Sequence, residues 1–221
     1  MSDSTSPQSG KNPAADIPAI LRLPVQYWRQ SMAAAVIVLA AAGGYALYGV
    51  YQKGQIEKAE SALGAVVVSK TGAERLSALE ALVKSAPAGA RDGINLEIAK
   101  TAQALGDFAK AATAWEAISQ SAPAGMKTVA GLGQATALSK SGQDAKAVAV
   151  LESLAAAAPK AFSMTIDRQL AVTAEAAGQW QKALTAYERM KADGNVQNAS
   201  YIDARISALR AKADAAPKAD S

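Results

Sequence analysis

Three stretches, GDFAKAATAW over 106–115, GQDAKAVAVL over 142–151 and GQWQKALTAY over 178–187, align at a constant step of 36 residues. Gly106, Gly142 and Gly178 open them, Ala111, Ala147 and Ala183 share one position, and Trp115, Leu151 and Tyr187 close them. The step continues outside the three stretches. SAPAG occupies Ser85–Gly89 and Ser121–Gly125, and AAP at Ala157–Pro159 takes the same place next, so that Pro87, Pro123 and Pro159 are also spaced by 36. A repeat of this length marks a stacked helical array, in which one unit cannot bury its own apolar face and neighbours must cover it.

Each unit divides into two helices. Before the glycine runs a helical pattern such as Ile94, Ile98, Ala102 and Leu105, and after it a second such as Phe108, Ala111, Ala112, Trp115 and Ile118. The glycine supplies the left-handed residue that ends the first helix, and the proline about seventeen residues later stops the second. Ala99, Ala135 and Ala171 in the first helices, with Ala111, Ala147 and Ala183 in the second, are the small residues expected where helix axes come close. Upstream, Glu74 to Pro87 reads as the second helix of a degenerate unit, preceded by a helix through Gln55 to Val68 with Ile56, Ala59, Leu63 and Val66 on one face. Downstream, Ile202, Ile206 and Leu209 at helical spacing suit a helix that caps the array.

Composition agrees. The 221 residues include 55 alanines, 11 aromatics, no cysteine and no histidine. Alanine has the best helix propensity, and strand-favouring residues are thin, so an all-α chain is expected. Without Cys or His there are no disulfides, zinc clusters, thiol nucleophiles or imidazole bases, and the redox compartment stays open. A net charge of +4 is too small to imply nucleic-acid binding by itself.

Between Arg29 and Lys53 no residue is charged, and SMAAAVIVLAAAGGYALYGV over 31–50 is almost wholly apolar or small. Twenty helical residues span roughly 30 Å, the thickness of a bilayer hydrocarbon core. Tyr27 and Trp28 at one end, and Tyr45, Tyr48 and Tyr51 at the other, suit the headgroup zones. The segment therefore reads as a transmembrane helix. A cleaved signal peptide competes with it, through the small residues Ala40 to Ala42. Against cleavage stand the continuation of the apolar run to Val50 and the 29 residues before it, long for an n-region. Basic residues nearly balance across the helix, but Arg22 and Arg29 lie close to the membrane and the longer domain follows, which favours a cytoplasmic N-terminus. The Ser-, Pro- and Asn-rich start cannot bury enough apolar surface to fold.

Glycine, an aromatic two residues on, alanine five on, an aromatic or leucine nine on and proline seventeen on resemble the tetratricopeptide repeat. The chain then maps as a disordered cytoplasmic tail (1–29), a transmembrane helix (30–52), a membrane-proximal helix with a degenerate repeat (53–91), three repeats (92–125, 128–161 and 164–197), a capping helix (198–213) and a disordered tail (214–221). Asn95, Gly131 and Asp167 stand where the repeat carries large residues early in its first helix, which implies looser first helices. The layout of short tail, single membrane helix and helical-repeat domain resembles the ancillary subunit family of the bacterial Sec translocon. That resemblance implies a single-pass protein of the bacterial inner membrane with a periplasmic carboxyl-terminal domain. Its partners would be proteins: the translocon, periplasmic chaperones or exported clients. The alternative is a structural or assembly subunit of an inner-membrane complex serving envelope biogenesis, cell division or respiratory-complex maturation.

No constellation for chemistry emerges. Gly131-Leu-Gly133-Gln-Ala-Thr136 imitates a nucleotide fingerprint, but it falls inside a first helix with no preceding strand. Ser69-Lys70 and Ser139-Lys140 are adjacent on helices and do not face each other. No enzyme activity, cofactor, metal or small-molecule substrate is expected. Binding is the remaining role, and the resemblance implies an inner groove lined by first-helix residues. Register transfer gives Leu96, Lys100 and Gln103, then Leu132, Thr136 and Ser139, then Arg168, Val172 and Glu175 as the partner-binding set. If the register is right, Ala147→Phe overpacks a helix contact and costs about 1–3 kcal/mol, seen as a clear drop in melting temperature.

Overall fold

The computed structural model describes residues 28–194 and 198–215, with side chains from Met32 onward. Residues 1–27 of the expected N-terminal tail and 216–221 of the expected C-terminal tail lie outside the described residues. The protein is all-α, with no strand among the described residues. The helices are α1 (Trp28–Ser69), α2 (Gly72–Ser85), α3 (Ala88–Ala104), α4 (Phe108–Ser121), α5 (Ala124–Lys140), α6 (Asp144–Ala157), α7 (Ser163–Ala176), α8 (Trp180–Ala192) and α9 (Ala199–Ala215). The chain forms two compact units, one up to Lys53 and one from Gly54 onward.

In the first unit, every side chain from Met32 to Tyr51 is exposed. Met32–Ser69 is, among the described residues, the one helix long and apolar enough to cross a membrane.

The second unit is the array: α2, then the hairpins α3–α4, α5–α6 and α7–α8, then α9. Each hairpin turns on its glycine. Gly106, Gly142 and Gly178 have φ of 77°, 77° and 69°, a left-handed conformation that glycine adopts without steric cost. The residue after each glycine donates its N–H back across the turn: Asp107 to the Ala102 carbonyl at 2.9 Å, Gln143 to Leu138 at 2.9 Å and Gln179 to Ala174 at 2.8 Å.

The prolines do more than stop the second helices. Ala122, preceding Pro123, is extended (φ −71°, ψ 159°) and closes α4, because a residue before proline is excluded from the helical region. Pro123 itself is the N-cap of α5, as Pro87 is of α3. The first helices therefore begin at Ala88 and Ala124, ahead of the expected repeat starts at 92 and 128. After Pro159 a short 3₁₀ turn, Lys160–Phe162, intervenes before α7. The third second-type helix, α8, ends on Gly194 with φ 73° instead of on a proline.

The six alanines at the 36-residue step, Ala99, Ala135, Ala171, Ala111, Ala147 and Ala183, are all fully buried at 0% exposure. Methyl-sized side chains at these points let the axes approach, and larger residues such as Leu79, Ile94 and Leu151 fill the space between. The expectation of looser first helices is wrong at two of its three positions. At Gly131 a methyl group would lie 2.8 Å from Leu154 Cδ1, so the missing side chain is replaced by a leucine leaning in from α6. At Asp167 the carboxylate Oδ1 accepts from Arg189 Nε at 2.8 Å and Nη2 at 2.6 Å. Gly133 sits under the Trp115 ring, where a methyl would come within 2.7 Å. The glycines of the imitation nucleotide motif are thus packing residues. The indole Nε1 of Trp115 is buried there with no hydrogen-bond partner among the described residues.

At one end of the array, Ala59 of α1 is buried and Ile56, Leu63 and Val66 pack against the core. At the other, Ile202, Ile206 and Leu209 of α9 are buried. Gly133→Val is expected to lower stability by about 1–3 kcal/mol through the clash with Trp115. Gly64→Ala, in a helical position with nothing within 4 Å, is expected to raise it by about 0.5–1 kcal/mol. Urea unfolding of both variants checks the pair.

Candidate functional site

The nine residues expected to meet a partner lie on α3, α5 and α7, and the structure treats them unequally. Leu96 is half-buried in a cluster with Ile118, Ala122 and Ala130, between consecutive hairpins. Leu132 is half-buried against the main core. Thr136 donates its hydroxyl to the Leu132 carbonyl at 2.9 Å and accepts from Gln169 Nε2 at 2.8 Å. Ser139 donates to Asp144 Oδ1 at 2.5 Å. Glu175 pairs with Arg205 of α9, whose Nε lies 3.2 Å from Glu175 Oε1. Gln103 is half-buried. The exposed members are Lys100, which pairs with Glu97 at 2.7 Å, together with Arg168 and Val172.

Two of these contacts tie the first-type helices together. Gln169 of α7 reaches Thr136 of α5 and also the Leu132 carbonyl at 3.3 Å, while Arg205 of α9 reaches Glu175 of α7. Gln169 and Arg205 are 36 residues apart, and Gly133 is the same position one repeat earlier. One position thus holds a glycine under Trp115, a glutamine hydrogen-bonding backwards and an arginine making an ion pair backwards. α5, α7 and α9 are linked side by side, and the residues beside these links, Val129, Val172 and Tyr201, stay 45%, 57% and 54% exposed.

The second-type helices carry a different pattern that the sequence reading passed over. Glu80, Glu116, Glu152 and Glu188 recur at 36 residues, as do Lys110, Lys146 and Lys182. Glu80 pairs with Lys110 at 2.7 Å and Glu152 with Lys182 at 2.8 Å, and Glu188 meets Arg210 at 2.8 Å. The hydrogen bond that the Lys110 ammonium donates to the Glu80 carboxylate holds Lys110 above the ordinary lysine pKa. In the middle rung Lys146 turns to Gln143 at 2.8 Å. Such exposed pairs add little individually, but their spacing matches one helix of a repeat to the same helix of the next. The signal was available in the 36-residue alignment, as a charge period beside the alanine period.

Between successive second-type helices lie two grooves at equivalent positions. One, of about 540 Å³, has Gly131, Val150 and Leu154 in its lining; the other, of about 790 Å³, has Asp167, Leu170 and Met190. No group of three or more metal-ligating side chains occurs among the described residues.

With this geometry the comparisons agree: the tetratricopeptide repeat-like domain model matches residues 25–211. The chain belongs to the tetratricopeptide repeat-like family. No curated protein matches it. A solved Podosopora anserina kinesin light chain with nearly identical TPR-like repeats is similar, at 21% identity over 74% of this chain and 97% of that one, with a TM-score of 0.45. Domains of the tetratricopeptide type mediate protein–protein interaction, and their fold is ordinarily a scaffold without catalysis.

At the closing end of the tetratricopeptide-like array, Tyr187 is 3% exposed. Burial, followed by a hydrogen bond with Tyr201, pushes its phenol up to about 12. The folded state therefore keeps this proton when the unfolded chain begins to lose it. Stability from this group is complete below pH 10.0 and is lost as pH rises from there toward 12. Tyr187→Phe is expected to flatten the alkaline loss of urea resistance relative to the parent protein, while leaving the neutral-pH circular dichroism spectrum unchanged.

Proposed function

We propose that this protein is a membrane-anchored adaptor whose tetratricopeptide-like domain captures segments of other proteins. The observation that carries the reading is the exposed apolar helix attached to an interaction domain. Met32 to Tyr51 contains no charge and buries nothing. An exposed apolar surface of that extent in water promotes association, whereas a bilayer covers it at matching length. The anchor spans a bacterial inner membrane once, with the N-terminus in the cytoplasm and the array in the periplasm. There it assists protein export at the Sec translocon or the hand-over of exported chains to chaperones. The layout of the chain, an uncharged apolar helix followed by an interaction domain, supports this assignment.

Val172 is the better probe of the groove than Leu132, because it is exposed while Leu132 packs inside. A photocrosslinker at Val172 is expected to trap many different exported chains, and one at Gly44 to trap a membrane partner. One stoichiometric partner at both positions would instead favour a permanent subunit of an inner-membrane complex. Protease added to sealed, inverted inner-membrane vesicles is expected to leave the array intact. Digestion of the array in those vesicles would overturn the topology.

A further inference from the structure

The two faces of the array differ in how their charges are matched. On the second-type helices the acidic and basic residues meet across repeats, as Glu80–Lys110 and Glu152–Lys182, and Glu188 of α8 meets Arg210 of α9. On α3, α5, α7 and α9, where Asp203 turns to Lys191 of α8 and Asp214 lies in the last turn of α9, the exposed rows and the side chains that link them carry Lys100, Lys140, Arg168, Arg205 and Lys212 against Glu97 and Glu175. Both carboxylates are already engaged, with Lys100 and with Arg205. Lys140, Arg168 and Lys212 stand in no ion pair among the described residues. Lys140 instead lies over the Phe108 ring at 5.2 Å, and Lys212 over the Trp180 ring at 4.5 Å. These two contacts are the same contact displaced by two repeats, so the cations are held at fixed places along the groove edge. Val172 is exposed on α7, the helix between those that carry the two lysines, and Val129 and Tyr201 are exposed near the starts of α5 and α9.

From this imbalance we infer that the groove selects acidic segments: stretches of a partner protein in which Asp or Glu alternates with apolar side chains. The inference rests on the adaptor reading and names the class of chain it captures. Apolar residues of the segment cover Val129, Val172 and Tyr201, while its carboxylates meet Arg168 and the two edge lysines. Charge complementarity of this kind sets partner choice and association rate. A segment with an internal run of carboxylates fits this spread of cations, and no terminal carboxylate is required.

The test uses the full chain in nanodiscs of zwitterionic lipid and two fluorescent peptides with the same apolar residues. One carries Glu and the other Lys at the intervening positions. The Glu peptide is expected to bind at least about tenfold more tightly, with affinity that falls as salt is raised. Arg168→Glu and Lys212→Glu, both surface changes, are expected to remove most of that preference together, whereas Lys146→Glu on the other face leaves it intact. Equal affinity for both peptides, or a preference unchanged by the two reversals, would sink the acidic selectivity. If Val172→Glu still abolished binding in that case, the groove and the adaptor reading would stand. Binding of phosphatidylglycerol vesicles in place of the Glu peptide, lost in the same variants, would replace the protein segment by a lipid surface. If the Glu peptide does not bind at all, the selectivity is wrong, and crosslinking from Val172 judges the adaptor reading separately.

Discussion

Everything in the array depends on how closely its helices approach at the buried alanines. Ala99, Ala111, Ala135, Ala147, Ala171 and Ala183 expose nothing, and each contributes only a methyl group to the core. Their value lies in what they permit. Dispersion attraction falls steeply with distance, so a small side chain that brings two backbones together recruits contacts from every residue around it. The same closeness makes the contact intolerant of additional volume. Where a larger side chain enters, its neighbour shrinks to receive it: Trp115 against Gly133, and Leu154 against Gly131. At α5 the array is thus held by paired volumes, large against absent, and at the equivalent positions of α7 and α9 by polar contacts of Asp167, Gln169 and Arg205.

That packing leaves two different surfaces. One carries an ion-pair ladder of Glu and Lys at the repeat step, largely neutralised by itself. The other is crossed by Gln169 and Arg205, which reach back to the preceding first-type helix and set α5, α7 and α9 side by side. Aromatic rings at Phe108 and Trp180 position two of the unmatched cations there. A helical array that leaves Val129, Val172 and Tyr201 exposed beside unmatched cations suits binding of another protein.

Helix α1 joins these themes. Its stretch beyond Gly54 contributes Ile56, Ala59, Leu63 and Val66 to the array and closes one end, while Met32 to Tyr51 are exposed throughout. Amphipathic spacing appears only where protein covers one face, and uniform apolarity appears where no protein does.

The repeat step, the hairpin turns and the capping helix were all legible in the sequence, because backbone conformation is local. Glycine takes a left-handed turn and proline excludes the helix before it whatever surrounds them. The anchor-length apolar run was legible for the same kind of reason, being a property of consecutive residues. What each groove residue does was not. Leu96 and Arg168 occupy equivalent register positions, yet one packs between hairpins and the other is exposed. Thr136 and Val172 are likewise equivalent, and only Thr136 is held, by a glutamine 33 residues away. Asp167 looked like a flaw in its helix until Arg189 reached it from the next one. These outcomes depend on which side chain arrives from a neighbouring helix. Periodicity places a residue on a face; only the tertiary structure decides what meets it there, because volume and charge are matched between helices and not along one.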